Sequence, residues 1–92
     1  MFQYGHVGTS FSGPNRSFRI DFNVSFFSVP SIIVTWNAGV SSDNLTYSFS
    51  PSIYSSTNSS FKVRLIGVGT GIPALDTTTS GYVEWRAVGY ST

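Results

Sequence analysis

Ninety-two residues with a formal net charge of +1 form one domain, 1–92, because a second core would have too little surface to bury. Four Arg, one Lys, three Asp and one Glu give no electrostatic footprint for nucleic acid or an anionic membrane, and the apolar content is too high for a disordered chain. Cysteine is absent, which removes any disulfide framework or Cys-based zinc site and leaves eight Phe, five Tyr and two Trp to supply most of the apolar area.

Phe2 to Val7 has the pattern of a first strand, followed by a loop from Gly8 to Asn15. Ser17 to Phe26 then alternates, with Phe18, Ile20, Phe22 and Val24 on one face and Arg19, Asp21 and Asn23 on the other. That is the pattern of a half-buried antiparallel strand with one wet face. Pro30 opens an apolar strand that runs to Trp36, a position where proline is tolerated because no ladder N–H is yet required. Asn37 to Asn44 reads as a loop, with Gly39, Ser41, Ser42 and Asp43 as turn formers.

Leu45, Tyr47 and Phe49 alternate in a fourth strand that Pro51 bends or ends, and Ser55 to Asn58 form a turn. Phe61, Val63 and Leu65 point inward while Lys62 and Arg64 point outward. Gly67 to Gly81 is the longest irregular stretch, and long ordered loops in compact domains are often functional. The closing strand sets Val83, Trp85 and Ala87 against Glu84, Arg86 and Val88. Short alternating strands with Ser/Thr-rich turns and no helical segment describe a small antiparallel sandwich or barrel, and of these a six-stranded antiparallel β-sandwich is the architecture expected. Phe22, Val34, Trp36, Leu65, Val83 and Trp85 are expected in or near its core.

The sequence argues against catalysis. His6 is the only histidine, there is no Cys nucleophile, and Asp21, Asp43, Asp76 and Glu84 are isolated from one another along the chain. No metal or other cofactor is expected, since a calcium site wants clustered carboxylates. Gly67, Gly69 and Gly71 lack the following helix that a phosphate loop requires. Asn15, Asn23, Asn44 and Asn58 each start an Asn-X-Ser/Thr pattern, which a chain more than a quarter Ser and Thr generates freely; Asn23 moreover falls inside the second predicted strand. Trp36 and Trp85 are in phase with aliphatic neighbours and read as core, whereas Tyr47, Tyr54, Tyr82 and Tyr90 read as exposed aromatic contacts. No charged-then-apolar leader follows Met1 and no apolar run approaches about 18 residues, so a soluble domain without membrane insertion is expected, one that either never crosses a membrane or is shown without its signal.

The order and spacing of these segments resemble the H-type lectin domain, the family of the snail agglutinin and the discoidin C-terminal domain. The matching residues are Gln3-Tyr4-Gly5-His6-Val7, Phe22, Phe27, Pro30-Ser31-Ile32-Ile33-Val34, Asp43-Asn44-Leu45, Phe61-Lys62-Val63 and Val83-Glu84-Trp85-Arg86-Ala87-Val88-Gly89. The resemblance implies a trimer with sugars held between neighbouring protomers at one end. The sequence departs from the family at its sugar site: Thr46 stands where the snail member has Arg, and Val68-Gly69 where it has Trp-His. Cysteine-free domains of this kind are also similar to receptor-binding tips of bacteriophage tails and baseplates.

The reading is thus a trimeric carbohydrate-binding module for cell-surface saccharide, located on a virion or outside the cell. The alternative is a structural or trimerisation module without a ligand. A bound sugar should meet loops 9–16, 37–44 and 67–80, where Asn15, Arg16, Asn37, Asp43, Asn44 and Asp76 offer short, planar or bidentate partners to hydroxyls. Asp43 leads, as a carboxylate in a Gly/Ser loop with few other charges, although the same side chain could cap its own turn.

Overall fold

A computed structural model describes residues 1–13, 15–37, 47–70 and 78–90. Six strands are present: β1 (Phe2–Ser12), β2 (Asn15–Asp21), β3 (Ser31–Asn37), β4 (Tyr47–Ser56), β5 (Ser60–Gly69) and β6 (Thr78–Val88). They form two three-stranded sheets, ordered β1-β6-β3 and β2-β5-β4, with every pairing antiparallel. The sheets pack face to face as a sandwich, and no helix occurs among the described residues.

The alternation read from the sequence is what closes the core. Ile20 from β2, Phe49 from β4, Phe61, Val63 and Leu65 from β5, and Val83, Trp85 and Ala87 from β6 are buried. Val34 and Trp36 pack against them half-buried. The indole of Trp85 lies 5.7 Å from the Phe22 ring and 5.6 Å from the Phe61 ring, both tilted or edge-on, as aromatic quadrupoles prefer.

Several boundaries differ from the sequence expectation, each for a physical reason. β1 continues through Ser12, because β6 offers it a partner as far as Thr78. The turn into β2 follows at once at Gly13, whose φ of 95° suits a residue without a Cβ. β2 stops at Asp21, five residues before Phe26. Val24 is consequently exposed, and Phe26 takes the buried place instead. Asn23 therefore lies beyond the strand, not within it. β4 runs straight through Pro51, since β4 is an edge strand where a missing N–H is harmless. Asn37, Gly67 and Gly69 belong to strands, which shortens the two long loops.

The chain termini and the 22–30 segment seal one end of the sandwich. The Phe22 and Phe26 amides donate to the carbonyls of Ser59 and Asn58, and the Phe27 amide to Tyr90. Buried Gln3 holds the same segment: its Nε2 donates to the Val24 carbonyl at 2.6 Å and its Oε1 accepts from the Asn23 amide at 2.9 Å. Two residues along, a Cβ on Gly5 would stand 2.9 Å from Nε1 of Trp85. The Gln-X-Gly opening is thus an architectural motif, one residue tying down a loop and the other making room for the core indole.

Candidate functional site

The topology brings three connections to the other end. β1 finishes and β2 begins there, β3 finishes and β4 begins, and β5 finishes and β6 begins. Asn15 and Arg16 open β2 opposite Ile66 and Leu65, and Asn37 closes β3 opposite Tyr82. All three are exposed. Arg16 has the core-facing parity of Phe18 and Ile20 but stands at the strand's tip, past the edge of the core. The two sheets, spaced by about 10 Å, therefore each present part of the predicted constellation at this rim. Asp43, Asn44 and Asp76 lie outside the described residues, in segments whose flanking strands end here.

Aromatic rings form the floor beneath this rim. Trp36 meets Phe49 edge-on at 5.3 Å and Tyr47 meets Phe49 edge-on at 5.9 Å. Gly81 is buried under Trp36, and a Cβ there would also meet the Asn37 carbonyl at 2.8 Å. Tyr47 was expected as an exposed contact and is instead half-buried in this floor. The signal was present: two residues from Phe49, it shares that ring's inward face.

The two outer faces of the sandwich differ in chemistry. Across β1-β6-β3 the side chains stand in rows: Phe2–Val88–Ser31, Tyr4–Arg86–Ile33, His6–Glu84–Thr35 and Gly8–Tyr82–Asn37. Tyr4 is 71% exposed and Ile33 66%, and Phe2, Tyr82 and Val88 are exposed beside them. A groove of about 420 Å³ on this face is lined by Tyr4, His6, Ile33 and Glu84, with Gly5 and Trp85 at its base. His6 lies on this face, its ring edge-on to Tyr82 at 5.5 Å.

Across β2-β5-β4 the rows read Asn15–Ile66–Ser50, Ser17–Arg64–Ser52 and Arg19–Lys62–Ser55, with Asp21 opposite Ser60. Four of the chain's five cations, Arg16, Arg19, Lys62 and Arg64, sit on β2 and β5. Among the described residues the ion pair is Arg19 Nε to Asp21 Oδ1, 3.2 Å, with both side chains well exposed. No group of three metal-binding side chains occurs among the described residues, and none of the helices that a membrane span would need is present there.

No protein-family model and no curated protein sequence matches the chain. Among solved structures, the fold is similar to part of the Gp54 tailspike of Acinetobacter baumannii bacteriophage AP22, solved in complex with A. baumannii capsular saccharide. The match has a TM-score of 0.70 at 14% identity and covers 100% of this chain. The chain spans 17% of the tailspike chain's length. At that identity the likeness is one of fold, an all-β sandwich that a phage tailspike also uses.

Proposed function

We propose that this domain is an H-type lectin-like carbohydrate-binding module of a phage receptor-binding protein, displayed on the virion and directed at cell-surface saccharide. The observation that carries the reading is the match along the whole chain to a tailspike solved with a capsular saccharide. The site is the rim at the loop end, built from Asn15, Arg16 and Asn37 together with Asp43, Asn44 and Asp76, over the aromatic floor of Trp36, Tyr47 and Phe49. Amide, carboxylate and guanidinium groups there give the directional, paired hydrogen bonds that sugar hydroxyls accept and donate. The role is binding, not catalysis.

The module works as a homotrimer whose protomers meet through the outer face of the β1-β6-β3 sheet. Phe2, Tyr4, Ile33, Tyr82 and Val88 expose apolar surface on this face on either side of Glu84 and Arg86, and burial against a second copy would cover it. Among the described residues Glu84 and Arg86 make no ion pair, so each can be satisfied across an interface. A trimer built on this face sets three loop ends side by side, with sugars held between neighbours.

The same aromatic face supports a second reading, a trimerisation module without a ligand, and Thr46 and Val68-Gly69 at the family's sugar positions favour it. The test is to make Asp43→Ala and Arg16→Ala separately and measure binding to capsulated bacteria and purified capsular glycan. The lectin reading expects each folded variant to lose at least about ten-fold in affinity, equivalent to about 1.4 kcal/mol. Folded variants that bind as tightly as the parent contradict this placement of the site.

A further inference from the structure

The outer face of the β2-β5-β4 sheet breaks a rule of sheet design. Arg19 and Lys62 are direct cross-strand partners on the solvent side, and like charges in that position destabilise the ladder. Arg64 follows two residues along on the same face of the central strand, about 7 Å away. Asp21 engages Arg19, whereas Lys62 and Arg64 have no carboxylate partner among the described residues. In a chain with only five cations, neither average composition nor a general positive charge accounts for this concentration.

The neighbouring side chains hold Arg64 in place. Its Nε donates to the Ser17 hydroxyl at 3.5 Å, and its guanidinium lies over the Tyr54 ring, 4.9 Å from the centroid. Tyr54 reaches that position because the β4–β5 register slips between Ile53 and Ser55, leaving Tyr54 as an extra residue. Bulges of this kind re-aim a side chain and recur beside functional sites. An arginine stacked on one face and tethered at Nε keeps its terminal N–H groups directed outward at low conformational cost. Exposed hydroxyls of Ser17, Ser50, Ser52 and Ser55 surround the cations.

We infer that this face is a second saccharide-binding surface, selective for acidic polysaccharide, with Arg19, Lys62 and Arg64 binding the anionic groups and the serines binding sugar hydroxyls. A like-charge row that lowers stability, with Asp21 engaging only its Arg19 end, is retained where a ligand of opposite charge fills the rest. The mixture of three cations with a field of hydroxyls suits a sparsely charged, hydroxyl-rich polymer. A densely charged polyphosphate would call for a larger positive excess than a net charge of +1. The surface is separate from the loop-end rim and does not depend on it.

The test uses the whole chain, immobilised polygalacturonate and dextran sulfate as acidic probes, and neutral dextran and single-stranded DNA as comparisons. Binding is measured at low and high salt for the parent, Lys62→Glu, Arg64→Ala and Lys62→Arg. The parent should hold an acidic polysaccharide at least ten-fold tighter than dextran or DNA, with binding weakened by salt. Lys62→Glu should abolish that preference and raise the melting temperature by about 1–4 °C, since it turns a like-charge pair into an opposite one. Arg64→Ala should weaken binding at least five-fold, and Lys62→Arg should retain it. Loss of binding with a gain in stability is an outcome that misfolding cannot produce. Equal binding to dextran, equal or tighter binding to DNA, no binding to either acidic probe, or full retention in Lys62→Glu each overturns the inference. A defect confined to Asp43→Ala and Arg16→Ala bears on the loop-end rim alone.

Discussion

The two sheets present similar inward faces and opposite outward ones. Inside, each central strand contributes three alternating buried residues: Phe61, Val63 and Leu65 from β5, and Val83, Trp85 and Ala87 from β6. Outside, the β6 sheet carries Phe2, Tyr4, Ile33, Tyr82 and Val88 around Glu84 and Arg86, while the β5 sheet carries serines, Arg19, Lys62 and Arg64 beside Tyr54, Ile66 and Val68. Folding alone would select the same polar exterior on both sheets, because either wet face needs only to be soluble. The proposed trimer and the proposed saccharide surface would account for the difference, with another protomer on the apolar side and solvent and saccharide on the cationic side. In the proposed trimer, Glu84 and Arg86 would add specificity at an interface where nonspecific apolar contact would otherwise dominate.

Substitutions of graded effect separate the roles of the two faces. Trp85→Ala removes the indole that both sheets pack against and should cost about 3–5 kcal/mol, measured by chemical denaturation, disabling both faces together. Ile33→Asp should leave each protomer folded and drop the mass by sedimentation from three chains of 10.0 kDa, about 30 kDa, to that of one. A parent that is already monomeric at micromolar concentration would contradict the assembly. Gln3→Ala leaves the Asn23 amide and Val24 carbonyl without their side-chain partner and should cost about 1–3 kcal/mol, with faster hydrogen exchange in the 22–26 segment. Ser50→Asp on the opposite face should change neither the mass nor the stability by more than about 0.5 kcal/mol. If Ile33→Asp and Ser50→Asp behave alike, the two faces are not functionally distinct.

Much of this architecture was legible because alternation is a local signal. Every inward residue predicted for β5 and β6 is buried, as a period of two requires once one face is covered. Where the alternation continued past the strand, it misled: Phe22 is buried but Val24 is not, because Gln3 turns the backbone away there through hydrogen bonds from another strand. No local pattern reveals such a long-range contact. Pro51 similarly marked an edge strand and not a strand end, a distinction set by which neighbours pair. Of the candidate rim, Asn15, Arg16 and Asn37 are brought to one end by the topology, while Asp43, Asn44 and Asp76 fall outside the described residues. The cationic face was hidden for a different reason. Lys62 and Arg64 read from sequence as ordinary outward residues, and only the β2–β5 register sets Arg19 directly opposite Lys62.

The most direct measurement for the central claim is an unbiased glycan array, rich in bacterial surface polysaccharides, probed with the purified assembly. Selective binding to a limited set of saccharides is predicted, with binding to the uncharged members of that set lost in Asp43→Ala or Arg16→Ala while the trimer persists. A folded trimer that binds no saccharide on such an array, and no capsulated cell, would contradict it and leave the domain as a structural module.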